Sequence, residues 1–191
     1  MNELLEYMKS RRSSLSLTLE EPGPNETELR TILEIASRVP DHGKLAPWRF
    51  VLWTPTFREE VHKKLSQHLK LKFDTGVEEN ERSKQQKGLD KILHAPCVIA
   101  VVSKAVDGVS VPCWEQELSA GAVCMNTLIA ANALNFEAQW LTGWFIYDED
   151  AKPILGLDGT ERIAGLIHIG TSKIVKSERP RPDVSQIFTV R

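Results

Sequence analysis

From Trp114 to Leu134 the chain reads as a helix that is apolar on almost every side, with the small residues Ser119, Ala120, Gly121 and Ala122 gathered in its first half. A helix resting on a core along one stripe would carry polar side chains on the opposite stripe, and this one hardly does, so protein must enclose it. The chain has 191 residues, and a domain of that size does not easily wrap such a helix unless a second subunit supplies part of the cover. The expectation is a homodimer.

Strands supply the rest of the core. Pro96 to Val102 is a nearly continuous apolar run of the kind a strand buried on both faces requires, and it belongs in the middle of a sheet. Residues 48–53, Trp-Arg-Phe-Val-Leu-Trp, are aromatic and branched and read as a second strand; Ala138 to Leu141 and Ile163 to Gly170 read as two more. Before them, a first helix follows Asn2, with Leu4, Leu5, Tyr7 and Met8 on its apolar side, and closes on Arg11-Arg12-Ser13. A second is capped by Asn25 with Glu28 three residues on, and carries Leu29, Ile32, Leu33 and Ala36 at helical spacing. A third has the ridge Phe57, Val61, Leu65 and Leu69. Residues 77–94 are polar until Leu89, Ile92 and Leu93, and suggest an exposed helix or an excursion, either a cover for an active site or inert surface. The last twenty residues, with Pro180 and Pro182 alternating with Arg179 and Arg181, are expected to be an extended, non-helical arm.

Composition excludes several classes. With 41% hydrophobic and 26% charged residues the chain fits a single globular domain over 1–191. A net charge of −2 argues against a nucleic-acid binder, which shows a basic excess on one face. No apolar run is long enough to span a bilayer, and the first residues, MNELLEYMKSRR, carry charges where a signal peptide needs its apolar stretch, so a cytoplasmic protein is expected. Cys97, Cys113 and Cys124 lack the close spacing of metal or dithiol motifs and are expected to be buried free thiols. His62 and His68, six apart, do not share a helix face, and no metal centre is expected. Neither a G-x-G-x-x-G turn nor a Walker-type loop is present, so a nucleotide cofactor would have to be held by other means.

Two segments carry chemistry. In Arg11-Arg12-Ser13 two planar, permanently charged guanidinium groups and a hydroxyl make a fork suited to a phosphate or a polar sugar chain. In Val39-Pro40-Asp41-His42-Gly43-Lys44-Leu45-Ala46-Pro47-Trp48, His42 and Lys44 are donors, Gly43 allows backbone to approach a flat ring, and the prolines stiffen both ends. Basic residues at a helix end are also favoured by the macrodipole with no ligand present, so the triplet alone decides little. Glu115 and Glu117 read as acidic residues favoured in a helix's first turn rather than as an acid–base pair. Among the tryptophans, Trp48, Trp53 and Trp144 read as core, and Trp140 alone as a ligand contact.

The order RRS, VPDHGKLAPW, VPCWEQELSAGA, QWLTGW, IGTS and a basic tail resembles the nitroreductase family over the entire chain, most closely its small, compact bacterial branch of NAD(P)H nitroreductases. The resemblance implies an α+β fold, a central mostly antiparallel sheet flanked by helices, dimeric, with the C-terminal arm embracing the other subunit and two flavin mononucleotide (FMN) sites at the subunit boundary. It implies as flavin contacts Arg11, Arg12, Ser13, Arg38, His42 and the strand end Trp140-Leu141-Thr142, the last approaching from the partner subunit or the ring edge, with Thr142 and Gly143 offering backbone donors near the hydride-accepting nitrogen. Because reduction puts negative charge on the pyrimidine side of a flavin, Lys44, His42 and Arg12 are candidates to face it. The phosphate would fall to Arg11, Ser13 and one of Arg179 or Arg181. Many relatives carry another basic residue where this chain has Leu15.

The implied activity is transfer of reducing equivalents from NADH or NADPH to a planar, electron-poor acceptor of nitroaromatic or quinone type, in two stages that share one open face of the ring. The chemistry would sit on the flavin, with His42 at most an auxiliary acid or base. Two alternatives stand beside it: a more specialised flavin reductase or reductive dehalogenase, and a non-catalytic flavin-binding or regulatory module.

Overall fold

The fold, taken from a computed structural model, is described for residues 2–73 and 79–191. It divides into two compact units, Ser13–Ser172 and the pair Met1–Arg12 with Lys173–Arg191.

The larger unit is built on four strands, β1 (Trp48–Leu52), β2 (Cys97–Ser103), β3 (Glu137–Leu141) and β4 (Arg162–Gly170), in the order β1-β2-β4-β3 and antiparallel throughout. Every residue of β2 is buried, as its apolar run requires of an interior strand. Successive side chains point to opposite faces. Cys97, Ile99 and Val101 share one face with Ala138, Ile167 and Ile169 and pack on Val123, Cys124 and Leu128 of α5 (Cys113–Ala133) and Ile32 and Ala36 of α2 (Glu26–Ala36). Val98, Ala100 and Val102 take the other face with Leu166, against Val61 and Leu65 of α3 (Pro55–Phe73), Leu89 of α4 (Glu79–Asp90), and Phe145. The expected α+β architecture is present, with helices on both faces of an antiparallel sheet.

Local rules explain the helix ends. Asn25 accepts from the Glu28 N–H at 3.0 Å while Glu28 accepts from the Asn25 N–H at 2.8 Å, a reciprocal box that starts α2. After α5 the chain turns through Asn135 at φ 64°, a left-handed position that asparagine tolerates. In β4 the register slips between the partners of Val101 and Val102, leaving Ala164 as the extra residue of a bulge.

The chain leaves part of α5 uncovered: Trp114, Leu118 and Met125 are 67%, 53% and 36% exposed, one stripe at helical spacing with the half-buried Gly121 and Ala122 between them. Of the two alternatives for residues 77–94, the helix is the one present: residues 79–93 form α4 and a following turn, with Leu89 and Ile92 in the core and Asp90 hydrogen-bonded to His62 of α3 at 2.8 Å, and residues 77 and 78 lie outside the described residues. Of the three cysteines, all free, Cys97 and Cys124 are buried as expected but Cys113, in the first turn of α5, is only half-buried.

In the smaller unit, α1 (Glu3–Ser10) is capped by Asn2, whose side chain accepts from the Leu4 N–H at 3.0 Å. The helix stops at Ser10, so Arg11 and Arg12 follow it rather than forming its last turn, and Arg11 already has extended ψ of 127°. The tail is not wholly extended: Asp183 accepts from the Ser185 N–H at 2.9 Å and starts a single helical turn, Val184–Ile187. Among the described residues no helix is long and apolar enough to cross a membrane.

Candidate functional site

The loop before β1 is the most tightly specified polar feature of the larger unit. Both carboxylate oxygens of Asp41 accept backbone N–H groups, from Leu45 at 3.1 Å and Ala46 at 2.8 Å. Closing that turn puts Gly43, Lys44 and Ala46 at φ of 74°, 54° and 44°. Glycine occupies such a conformation freely, whereas each non-glycine residue there costs on the order of 1 kcal/mol and persists only where surrounding contacts over-determine it.

Those contacts come from α5. Asn126 donates its side-chain amide to the Arg38 carbonyl at 2.9 Å, the Ser119 hydroxyl donates to the Pro40 carbonyl at 2.8 Å, and Glu115 meets His42 Nδ1 at 2.7 Å. Positions 115, 119 and 126 fall on one side of a helix, so a single face of α5 holds alternate residues of the loop in register. Arg38, His42 and Lys44 are left exposed on a backbone that is not free to move.

A second group gathers on the outer edge of β3. The Ser14 N–H donates to the Ala138 carbonyl at 3.2 Å, the Ser14 hydroxyl to Glu137 at 2.6 Å, and the Ser16 N–H to the Gln139 side-chain oxygen at 2.6 Å. Ser14 and Ser16 are thereby buried, while Ser13 and Leu15 face out. Trp140, on the same strand, lays its indole over Gly165 and donates Nε1 to the carbonyl of the bulge residue Ala164 at 3.2 Å. Leu141 ends the strand half-buried; Thr142 is exposed, and Gly143 has the Phe145 ring where a Cβ would come within 2.5 Å of it.

The two groups do not adjoin within the sheet. β1 and β3 are its opposite edges, three strand spacings of about 4.8 Å apart, or roughly 14 Å. The larger unit also carries a cavity of about 640 Å³ beside Ser103, Cys113, Glu117, Lys152 and Arg162, and one of about 360 Å³ beside Leu29, Leu33 and Phe50. Neither is lined by any residue named above as a candidate flavin contact.

In the smaller unit Arg12 donates to the Ser177 carbonyl at 2.7 Å and to Glu178 at 3.1 Å, and Arg181 meets the same Glu178 oxygen at 3.1 Å. The Arg179 N–H, then Arg12 and Arg181, hold the Glu178 carboxyl below its ordinary range. Arg12, of the triplet suited to a phosphate or sugar chain and a candidate for the ring, and Arg181, a candidate for the phosphate, thus converge on one anionic oxygen, and Arg181 also reaches the Arg11 carbonyl at 3.5 Å.

Residues 8–171 match the family model described as Nitroreductase family. The chain belongs to the nitroreductase family. It is 35% identical over 181 residues to a Haemophilus influenzae protein named "Putative NAD(P)H nitroreductase", covering 93% of this chain and 92% of that one. With Escherichia coli YdjA, which carries the same name, identity is 31% over 179 residues, 92% and 91% of the two chains. Two solved structures share the fold: a nitroreductase-like protein of Bacillus cereus, with TM-score 0.80 at 22% identity over 100% and 97% of the chains, and a Bacteroides fragilis nitroreductase with bound FMN, with TM-score 0.75 at 18% identity over all of both.

Sequence patterns leave several groups of this chain unassigned. Glu115 looked like an ordinary first-turn acid, yet it is the partner of His42. Asp41 and Ser119 shape the loop from within two of the segments quoted above, and Asn126 from outside them. Glu115, Ser119 and Asn126 share one sign, polar residues at i, i+4 and i+11 on an otherwise apolar helix. A third group, His68, Asp148 and Asp150, brings three potential metal-ligand atoms within 4.8 Å of one another, but Asp148 already receives His68 and the Lys72 ammonium.

Proposed function

We propose that this protein is an FMN-dependent oxidoreductase that takes reducing equivalents from NADH or NADPH and passes them to a planar, electron-poor acceptor of nitroaromatic or quinone type in two half-reactions. The observation that carries the reading is the loop around His42. Three exposed donors, Arg38, His42 and Lys44, stand on a strained backbone fixed by Asp41 and by one face of α5. Strain held at an exposed polar loop is a mark of a ligand-binding element rather than of a core. The names of the two relatives point the same way.

The donor set fits an anionic, ring-bearing cofactor. Arg11, Arg12 and Arg181, with Ser13, are proposed for its phosphate and polar chain; Arg38, His42 and Lys44 for the electron-rich side of its ring; Trp140, Leu141 and Thr142 for the ring edge. When bound, FMN supplies the hydride chemistry that no side chain here can perform. The three free cysteines suit a reducing compartment, in keeping with a cytoplasmic enzyme.

The active form in this reading is a homodimer. The exposed stripe Trp114, Leu118 and Met125, with small residues between for close approach, is the surface a second copy would cover. The separation of the loop before β1 from the edge of β3 supports a site completed by that copy. Scattering mass at micromolar concentration should give twice the 21.5 kDa of the chain.

The test of function is optical. Protein purified or reconstituted with FMN should show flavin absorbance that bleaches on anaerobic mixing with NADH or NADPH and returns with menadione or nitrofurazone. A preparation that takes up no FMN overturns the reading.

A further inference from the structure

We propose that Glu115 is the positioning residue for His42, presenting its imidazole through Nε2 as the group that protonates the acceptor. The proposal rests on the flavin reading above and goes beyond it by giving the site a proton donor. A quinone that receives hydride from the reduced cofactor gains two electrons and one proton, and needs one further proton to become the hydroquinone. A nitro group reduced to nitroso with loss of water needs the same, hydride plus one proton. The cofactor is oxidised and the acceptor reduced in each case, so a proton must come from a group at the site or from water.

Geometry singles out His42. Its Nδ1 lies 2.7 Å from Glu115 Oε2, a distance typical of a charge-assisted bond. A carboxylate accepts only, so in the neutral ring Nδ1 must carry the hydrogen, leaving Nε2 as the basic nitrogen; in the charged ring Nε2–H is the acidic donor. Free imidazole has no such bias toward a hydrogen on Nδ1. The pair therefore settles which nitrogen exchanges protons with a substrate, the arrangement in which a carboxylate orients a catalytic histidine.

A surface ion pair between two flexible side chains would fix nothing. Here neither end is loose. Glu115 stands in the first turn of α5, whose next turns bind the Pro40 and Arg38 carbonyls, and Asp41 locks the backbone on the other side of His42. The His42 side chain is nonetheless 65% exposed, so an acceptor can reach it and water can return the proton afterwards.

The test uses the full chain with Glu115→Ala and, as a conservative control, Glu115→Gln, whose amide oxygen can still accept from Nδ1. Nitrogen-15 spectra of the histidine rings should show His42 in the wild type with its neutral-form hydrogen on Nδ1, moved largely to Nε2 in E115A and restored in E115Q. In FMN-loaded protein the reductive half-reaction with NADPH, which draws no proton from His42, should change less in E115A than reoxidation does. Reoxidation by menadione at neutral pH should slow by roughly 10-fold in E115A and recover in E115Q. An unchanged His42 tautomer, or an unchanged reoxidation rate in E115A that still holds and reduces FMN, overturns the role of Glu115 and leaves the flavin reading standing. Failure of the wild type to take up FMN overturns both.

Discussion

The Ser119 hydroxyl donates to the carbonyl of Pro40 at 2.8 Å while accepting the indole N–H of Trp48 at 3.2 Å. One small side chain thus ties α5, the loop that carries His42, and the first residue of β1 at a single atom. Replacing it with alanine removes the partner of a carbonyl and of an indole donor together. Ser119→Ala should cost about 1–2 kcal/mol in urea unfolding, with faster amide exchange at residues 41–46 than in β2. Unaltered exchange in that loop would show that α5 does not hold it.

Gly165 and Trp140 meet by the same logic of close approach. A Cβ at 165 would fall 2.0 Å from the indole Nε1 and 2.5 Å from its Cδ1, so Gly165→Ala must lift the ring from the sheet and break its bond to the Ala164 carbonyl. The expected cost is about 1–3 kcal/mol, with a shift of the Trp140 indole N–H resonance toward its solvent value. An unshifted resonance would mean that the indole does not lie over this glycine.

These two contacts show where sequence reading succeeds and stops. The run from Pro96 to Val102 announced the interior strand, and the ridge of Val61, Leu65 and Leu69 announced the buried face of α3, because both follow from burial with a fixed period. The basic triplet and the His42 loop were legible as donors. What the sequence did not reveal was pairing. Glu115 and His42 are 73 residues apart, Glu178 and Arg12 166 apart, and nothing local marks either as a partner of the other. The bulge at Ala164, which supplies the carbonyl for Trp140, likewise exists only once β2 and β4 are aligned.

His168 gives the fold a pH dependence with a defined window. The ring is 1% exposed, and burial, aided by the nearby charges of Arg58 and Lys91, pushes its pKa down to about 4 from an ordinary 6.5. The unfolded chain therefore binds a proton below pH 6.5 that the folded chain refuses until about 4, so stability present above 6.5 is lost as the pH falls through that interval. The loss amounts to roughly 3 kcal/mol in all. Asp90, Asp148 and Glu161, held by their partners below ordinary values of 3.8, 3.8 and 4.5, add their own losses chiefly below this range. Urea midpoints between pH 7 and 4.5 should fall steadily in the wild type and stay flatter in His168→Phe; equal slopes in the two proteins would rule the histidine out.

Glu178 occupies with its carboxylate the position between Arg12 and Arg181 that an anion would be expected to take. If those arginines serve the phosphate of the cofactor, then the tail's own carboxylate competes with it, since both need the same guanidinium donors. Neutralising the competitor leaves the arginines in place and lowers the cost of engaging them. Glu178→Gln should bind FMN roughly 2- to 5-fold more tightly in a fluorescence titration at low salt, the gain shrinking as salt screens the exposed charges. Riboflavin, which has the same ring and sugar chain but no phosphate, should show no gain. Arg12→Ala and Arg181→Ala should weaken FMN binding whether residue 178 is Glu or Gln. Weaker FMN binding in E178Q would instead make Glu178 a brace that sets the two arginines for the phosphate, and equal strengthening for riboflavin and FMN would remove the phosphate from the account.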